Sequence, residues 1–280
     1  MSLSRACYLF NISRQGIYQQ HKRDNDRLLY ITKIKDMVIN IRREMPRLGT
    51  RKIYHLIKPD LQNSGIKLGR DGLFYYLRQE HLLIKARKNY TKTTWSQHWM
   101  RKYPNTFKTI KLYRPEQAWV SDITYIRSQQ GTYYLSLITD AFSRKIVGYS
   151  LSADLKTEAI IEALKMAIKE RKTSLPLLHH SDRGLQYCSK LYQQLLKKNG
   201  IKTSMTEGAG DCYQNALAER MNGIIKNEFL PEQPADANHI KQIVSQSVKI
   251  YNKKRPHLSL NYQTPDYIHQ INIKKTVNVF

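Results

Sequence analysis

Hydrophobic and polar residues follow two different patterns along this chain, and the change between them falls near residue 114. In the first part, apolar residues recur three or four positions apart, which is typical of amphipathic helices. From Ala118 onward, β-branched and aromatic residues are dense in segments separated by short polar turns, which indicates strands. We therefore expect a helical region followed by three antiparallel strands, at residues 118–126, 132–139 and 145–151.

The second part continues with alternating helices and strands. Apolar residues mark a helix over about 157–171, a strand at 177–180, a helix over about 189–200 and a strand at 201–205. With a further helix after residue 210, the order is β-β-β-α-β-α-β-α, and the last two strands are reached through helical crossovers. This order predicts an α/β fold with a mixed five-stranded sheet, of the ribonuclease-H-like type.

The helical part that precedes the sheet is predicted to be an all-α helix-turn-helix region that binds DNA. Ser13 can cap a short helix over residues 14–20, and Pro46 ends a later helix. Residues 82–84 are compatible with a short strand or wing. A plain helical hairpin explains the same pattern, so both interpretations stay open. The side chains expected to reach phosphates or base edges are Arg14, Gln15, Arg51 and Lys52.

Composition and periodicity together divide the chain into four segments. Residues 1–84 form the helix-turn-helix region, residues 85–113 a basic linker, residues 114–235 the sheet-containing core, and residues 236–280 a C-terminal helical extension and tail. The linker is polar and weakly periodic and carries Lys88 among several basic residues. We expect it to follow a phosphate backbone.

The charge balance indicates a polyanionic partner. The chain has 47 Lys and Arg against 22 Asp and Glu, a formal net charge of +25. Residues 1–113 hold 24 basic and 7 acidic residues, and residues 114–280 hold 23 and 15. Double-stranded DNA is therefore the expected partner, bound mainly by the first part. Ribosomal and membrane-surface proteins are also basic, so the charge indicates a class of partner and no activity.

Cysteine use and hydropathy indicate the compartment. The three cysteines are widely spaced and form no CxxC pair, which argues against disulfides and against a four-ligand zinc site. Neither a signal-like segment nor an apolar run of about 18 residues occurs. We therefore expect a protein of the cytoplasm, associated with the nucleoid and without membrane contact.

Three carboxylates lie where the predicted fold would bring them together. Asp122 lies within the first strand, Asp182 at the end of the fourth, and Glu219 on the helix after the fifth. Three such charges a few ångströms apart repel by roughly several kcal/mol at an effective dielectric constant of about 20. Two divalent cations would neutralise them and clamp the attacking and leaving oxygens of a phosphoryl transfer. Oxygen-only ligands favour Mg²⁺ or Mn²⁺.

The helical angle supports Glu219 as the third carboxylate. At about 100° per residue, the positions that share its side of the helix are polar, while apolar residues face the other side. Glu228 lies about 180° away from it, and Asp211 precedes the helix in a loop, so both are weaker alternatives. Asp140 is interpreted as a turn residue.

The roles of several other polar residues can be interpreted in two ways. Asn222 and Lys226, on the same helix side as Glu219, would contact DNA near the site or simply form a solvated helix face. His180 would line the site or satisfy the hydrogen bonds of its own strand. Arg255 and His257 would hold DNA or the C-terminal fold.

Six segments, in this order along the chain, match motifs of one known family. They are 49–54 (GTRKIY), 119–126 (WVSDITYI), 140–148 (DAFSRKIVG), 180–187 (HSDRGLQY), 215–223 (NALAERMNG) and 251–260 (YNKKRPHLSL). With them the chain resembles the retroviral-integrase-like catalytic core and, more specifically, the DDE transposases of bacterial insertion sequences of family three, as the product of the second reading frame. The resemblance implies that residues 114–235 form an integrase-like catalytic core.

The resemblance implies roles for the three carboxylates. Asp122, Asp182 and Glu219 would be the catalytic metal ligands, with two Mg²⁺ or Mn²⁺ ions in each active site. Water would attack a phosphodiester at the end of the element, and the freed 3′-OH would then attack another. The family further implies a multimer on paired DNA ends and an upstream DNA-binding partner frame.

Two departures from the family pattern are visible. Gln214 stands where many relatives carry an acidic residue, and 36 residues separate Asp182 from Glu219, about one more than the spacing for which the family is named. Neither removes a carboxylate. Two other functions stay open, a DNA-binding regulator without catalysis and a ribonuclease that acts on RNA–DNA hybrids.

Overall fold

The computed structural model describes residues 2–85, 100–207, 215–231 and 234–277. The chain forms two compact units, Met1–Ile84 and Lys85–Phe280. The first unit is all-helical, and the second contains the sheet. Among the helices of the described ranges, none combines the length and the apolar character that a membrane span requires.

The first unit differs from the prediction in the length of its second helix. Ser13 caps this helix as expected, because its hydroxyl accepts the N–H of Gly16 at 2.9 Å. The helix continues without a break to Glu44, although a short helix over residues 14–20 was predicted. No proline interrupts this stretch before Pro46, so its polar middle keeps helical geometry. The helices of this unit are α1 (Leu3–Leu9), α2 (Arg14–Glu44), α3 (Thr50–Asn63) and α4 (Arg70–Gln79).

The core of the first unit lies where α2, α3 and α4 meet. The side chains of Val38, Ile53 and Leu73 are fully buried there. Residues 82–84 form no strand. The carbonyl oxygen of Leu82 instead accepts a hydrogen bond from Arg42 Nη1 of α2 at 2.7 Å, so the predicted wing is wrong. This bond fixes the end of the unit to its longest helix.

The second unit contains the predicted mixed five-stranded sheet, in the order β3-β2-β1-β4-β5. The first three strands pair antiparallel, and β4 and β5 run parallel to β1. This confirms the ribonuclease-H-like fold class. The strands are β1 (Ala118–Ser128), β2 (Gly131–Asp140), β3 (Ile146–Ser152), β4 (Leu177–Ser181) and β5 (Ile201–Met205).

Helices cover both faces of this sheet. Those between the strands are α5 (Thr157–Glu170), α6 (Leu185–Cys188) and α7 (Lys190–Lys198), and those after the last strand are α8 (Ala216–Ile224), continued by a π-helical turn (Ile225–Phe229), then α9 (Ala237–Lys254) and α10 (Pro265–Val277). Because strand side chains alternate between faces, Trp119 and Leu177 pack in one core with α5 and α7. Val120 and Leu178 pack in a second core with Ala218 of α8.

The second half of the predicted linker packs against the sheet. The N–H of Phe107 donates to Ser204 Oγ at 3.1 Å, and the Phe107 ring stacks on His180 at 4.8 Å between ring centroids. The N–H of Met205 donates to the carbonyl of Pro104 at 3.4 Å. Residues 100–113 therefore belong structurally with the core. Lys88 lies outside the described residues.

The C-terminal residues that the sequence could not assign hold the fold together. Arg255 is 2% exposed, and its guanidinium donates to both carboxylate oxygens of Glu228, at 2.7 and 2.8 Å. His257 Nε2 lies 2.9 Å from the hydroxyl of Tyr251, which also donates to the carbonyl of Arg144 at 2.8 Å. A structural role thus replaces the alternative of DNA contact for Arg255 and His257.

Gly148 on β3 provides the first test of this packing. A Cβ atom at this position would lie 2.2 Å from the carbonyl oxygen of Ala163 on α5, a backbone atom that cannot move alone. We expect Gly148→Ala to lower the free energy of unfolding by about 3 kcal/mol, because α5 must shift away from the sheet. Urea denaturation followed by circular dichroism measures the change.

Gly223→Ala is the matched control for this substitution. A Cβ atom there approaches only the side chain of Asn227, at 3.9 Å, and alanine favours the helical conformation. The control should unfold at the same urea concentration as the wild type, or higher. Equal stability of Gly148→Ala and Gly223→Ala would contradict the close approach of α5 to β3.

Candidate active site

The pairing of β1 with β4 brings the two predicted aspartates together. The last paired residues of the two parallel strands are Val120 and His180. Two positions further along the chain lie Asp122, within β1, and Asp182, directly after the end of β4, so the two carboxylates lie side by side. Because side chains two positions apart share a face, both aspartates lie on the face of the sheet that α8 covers.

Glu219 lies on α8, one turn from two asparagines that bind β1. The Nδ2 group of Asn215 donates to the carbonyl oxygen of Ser121 at 3.1 Å. The Nδ2 group of Asn222 donates to Asp122 Oδ2 at 2.9 Å. Ala218 packs with Val120 of β1, and Met221 is also buried. The two asparagines on the polar side predicted from the helical angle therefore face β1 together with Ala218.

The electrostatics of the three carboxylates reflect their proximity. Burial, followed by the charge of Asp182, raises the pKa of Asp122 to about 8, and Glu219 adds a smaller contribution. Burial and the charge of Asp182 also raise the pKa of Glu219. Each shift disfavours the charged form, so the site resists carrying three negative charges at once.

The donor set suits a divalent cation, although the side chains do not yet surround one. Within the described ranges, no group of three His, Cys, Asp or Glu side chains is placed to hold a metal ion as it stands. The expected gathering of all three carboxylates around one cation is therefore not seen in this structure, in which Glu219 is exposed. Carboxylate oxygens are nevertheless the ligands that Mg²⁺ or Mn²⁺ prefers, and a bound cation would neutralise the charges whose repulsion contributes to the raised pKa values.

Buried hydrogen bonds hold the aspartates from below. The hydroxyl groups of Ser121 and Tyr187 lie 2.9 Å apart and tie β1 to α6. The N–H of Gly184 donates to Asp182 Oδ1 at 3.0 Å, an approach that a Cβ atom on residue 184 would crowd at 3.1 Å. The sequence assigned no role to Ser121, Tyr187 or Gly184 beyond the motifs that contain them, because hydrogen-bond partners distant along the chain leave no periodic signal.

The alternative carboxylates are engaged elsewhere. Glu228 is bound by Arg255, as described above. Asp140 is the buried last residue of β2, where it accepts the N–H of Ser143 at 2.8 Å and the N–H of Glu116 at 2.6 Å. Asp211 lies outside the described residues. His180 is buried, with Nδ1 2.9 Å from Ser204 Oγ, so its side chain binds the neighbouring strand β5 and not its own strand as predicted.

The side chains predicted to contact DNA lie in different settings. Arg14, Gln15 and Arg51 are exposed on the first unit, and Lys52 is partly buried. Lys226 is partly buried on the second unit, and burial, followed by the charge of Arg127, lowers its pKa. Asn222 is only 4% exposed and directs its amide to Asp122.

Asn215 was not predicted from the sequence as a site residue, although its position on the helix pointed to one. It lies four residues before Glu219, on the same side of the helix by the angle that selected Glu219. Its partner, a backbone carbonyl of β1, could be recognised only once the sheet and the helix were placed together.

Comparison with known proteins identifies the family. The integrase core domain matches residues 113–209, and a second model with the same description matches residues 199–265. A protein of Shigella sonnei, the insertion element IS600 uncharacterized 31 kDa protein, is 33% identical over 92% of this chain and 95% of its own length. The transposase InsF for insertion sequence IS3A of Escherichia coli (strain K12) is 28% identical over 82% of this chain and 80% of its own length.

A solved structure also aligns with part of this chain. The HTLV-2 integrase catalytic core domain in complex with magnesium aligns over 57% of this chain and 99% of that chain, with 23% identity and a TM-score of 0.45. The sequence relatives decide the assignment. The chain belongs to the IS3 family of insertion-sequence transposases, which carry an integrase core.

The raised pKa of Asp122 predicts how stability depends on pH without metal. The folded-state pKa of about 8 lies above the ordinary value of 3.8, so between these values the folded protein holds a proton that the unfolded chain releases. The free energy of unfolding should therefore fall as the pH rises from about 4 to about 8. Asp122→Asn should flatten this fall, measured by urea denaturation with chelator at several pH values.

The control substitution is Asp154→Asn. Asp154 binds Lys156, and hydrogen bonds from Lys156 and Ser152 lower its pKa, so it titrates below this pH range. Its removal should leave the slope between pH 5 and 8 as in the wild type. A wild-type slope that Asp122→Asn does not change would show that Asp122 is not protonated in the folded protein.

Proposed function

We propose that this chain is a transposase that cuts and joins DNA strands at the ends of an insertion sequence. The observation that carries the proposal is the placement of Asp122 and Asp182 side by side at neighbouring parallel strands, with Glu219 on the helix above them. Membership of the IS3 family supports it. The net charge of +25 suits a polyanionic substrate.

The proposed chemistry assigns the three carboxylates to the metal. Asp122, Asp182 and Glu219 would hold two Mg²⁺ or Mn²⁺ ions. The ions would neutralise the three carboxylates and the charge that develops on the phosphate oxygens. The protein itself fixes the ligands from two sides, through Asn222 on Asp122 and Gly184 on Asp182. Water attacks the first phosphodiester, and the resulting 3′-OH attacks the second, without a covalent enzyme intermediate.

DNA contact is proposed for both units. Arg14, Gln15, Arg51 and Lys52 would bind phosphates or base edges through the first unit, with Lys88 in the segment that follows. Lys226 lies seven residues, or about two turns, after Glu219, so it would bind a phosphate near the reacting bond. From membership of the IS3 family we further propose that the chain acts in the cytoplasm on the nucleoid, as a multimer on paired ends and with an upstream DNA-binding partner frame.

The first experiment compares two glutamates nine residues apart. Glu219→Gln should reduce Mg²⁺-dependent joining of duplex oligonucleotides carrying the element's ends to the level seen with chelator, because a charged ligand is lost. The chain should be supplied with its upstream partner frame so that both halves are present. Joining is measured as the fraction of labelled strand transferred to target DNA.

Glu228→Gln is the matched control for this loss. It should lower the free energy of unfolding by roughly 1 to 3 kcal/mol, since the buried Arg255 loses its charged partner. Below its unfolding temperature, the folded control should still join strands. Joining that survives in Glu219→Gln and fails in Glu228→Gln would reverse the assignment of the third carboxylate.

A second experiment separates catalysis from binding. Asp182→Asn should abolish strand joining and leave the affinity for duplex DNA nearly unchanged, because the basic side chains that bind phosphates remain. Gel-shift titrations at fixed salt measure the affinity. Wild-type protein that binds without cleavage would favour a DNA-binding regulator, and preferential cleavage of RNA–DNA hybrids would favour a ribonuclease.

A further inference from the structure

Two buried asparagines flank Glu219 on the same side of α8. Asn215 lies four residues before Glu219 and Asn222 three residues after it, so each is about one helical turn away. Both are almost fully buried, at 5% and 4% exposure. Glu219 itself is exposed, so the two amides, rather than the glutamate, hold this side of the helix on the sheet.

The two amides bind β1 at consecutive residues. Asn215 Nδ2 donates to the carbonyl oxygen of Ser121, and Asn222 Nδ2 donates to the carboxylate of Asp122. The first bond holds the backbone directly before Asp122, and the second holds the Asp122 side chain. Together they fix both the position of the helix along the strand and the orientation of the first carboxylate.

The remaining amide atoms show that these asparagines are not placed for packing alone. The Oδ1 atoms of Asn215 and Asn222 are buried, and neither has a hydrogen-bond partner within the part of the chain that the structure describes. Burying an unsatisfied carbonyl oxygen costs stability, which an apolar side chain of the same size would avoid. The cost is explained if the donated hydrogen bonds serve the site.

Asn252 shows what a purely structural asparagine looks like in the same unit. It lies on α9 and also binds a strand, but its Nδ2 donates to the carbonyl of Ile146 and its Oδ1 accepts the N–H of Ile146, both at 2.9 Å. Both ends of its amide are satisfied, and neither bond involves one of the three carboxylates. Asn252 is therefore the natural reference for the other two.

We propose that Asn215 and Asn222 are positioning residues, which hold α8 so that Glu219 faces Asp122 and Asp182 across one cation site. The proposal rests on the metal-binding role proposed above for the three carboxylates. It replaces the DNA contact predicted for Asn222 and adds Asn215, which had no predicted role. Because Asn215 touches none of the three carboxylates, it acts on the site only through the position of the helix.

The test measures Mn²⁺ binding to the full chain without DNA, by titration calorimetry or by the electron paramagnetic resonance of free Mn²⁺. Asn215→Leu and Asn222→Leu remove the donors and keep the branching and the number of side-chain heavy atoms. Each should weaken Mn²⁺ binding about tenfold, as is typical when a residue that orients a ligand is lost. If a leucine variant does not fold, the alanine variant at the same position takes its place.

Two controls separate positioning from general stability. Asn252→Leu should lower the unfolding temperature and leave the Mn²⁺ affinity unchanged. In a Glu219→Gln background, Asn215→Leu should cause no further loss of affinity, because the ligand that it positions is already gone. An equal loss in both backgrounds would overturn the proposal.

The remaining outcomes distinguish this proposal from the metal site itself. Mn²⁺ binding that is lost in Glu219→Gln but unchanged in both asparagine variants would overturn the positioning role and leave the metal site intact. Wild-type protein whose Mn²⁺ binding does not change in Glu219→Gln would overturn the metal site, and the positioning role with it.

Discussion

The active-site half of this molecule depends on one constraint, the parallel pairing of β1 with β4 that sets Asp122 beside Asp182. Burial disfavours the charged carboxylate of Asp122, and the like charge of the neighbouring Asp182 adds to the penalty, which is why the pKa of Asp122 rises to about 8. The sheet cannot relieve this repulsion by sliding, because a shift of one residue would turn every side chain of the strand to the other face. The fold therefore maintains an electrostatic penalty at a fixed place.

The surrounding contacts limit the other ways in which the repulsion could relax. Tyr187 holds β1 from below through Ser121, and Asn222 holds Asp122 from above. Further out, the ion pair of Arg255 with Glu228 fixes the turn that continues α8. Arg255 and Glu228 thus pair opposite charges where the end of α8 is fixed. Asp122 and Asp182, by contrast, place like charges side by side where a cation would bind.

The sequence predicted most of the sheet, because alternation and β-branched residues are local signals; β5 was expected at 201–205 and lies at Ile201–Met205. It failed where no local signal separates the alternatives. Nothing in the composition showed that the helix capped by Ser13 and the later helix that ends at Pro46 are one helix, or that Arg42 would bind the carbonyl of Leu82. In the site, periodicity selected Glu219, but it could not reveal that Asn222 faces a carboxylate, since that contact joins residues 100 positions apart.

The raised pKa of Asp122 also links metal binding to proton release under the proposed function. At neutral pH without metal, Asp122 keeps its proton, and this removes one of the charges that would repel a phosphodiester. A cation that binds the carboxylates must displace that proton, so its affinity falls as the pH is lowered. The basic surface attracts DNA whether or not the site is neutralised. DNA binding and cation binding therefore respond to different variables, salt for the first and pH for the second.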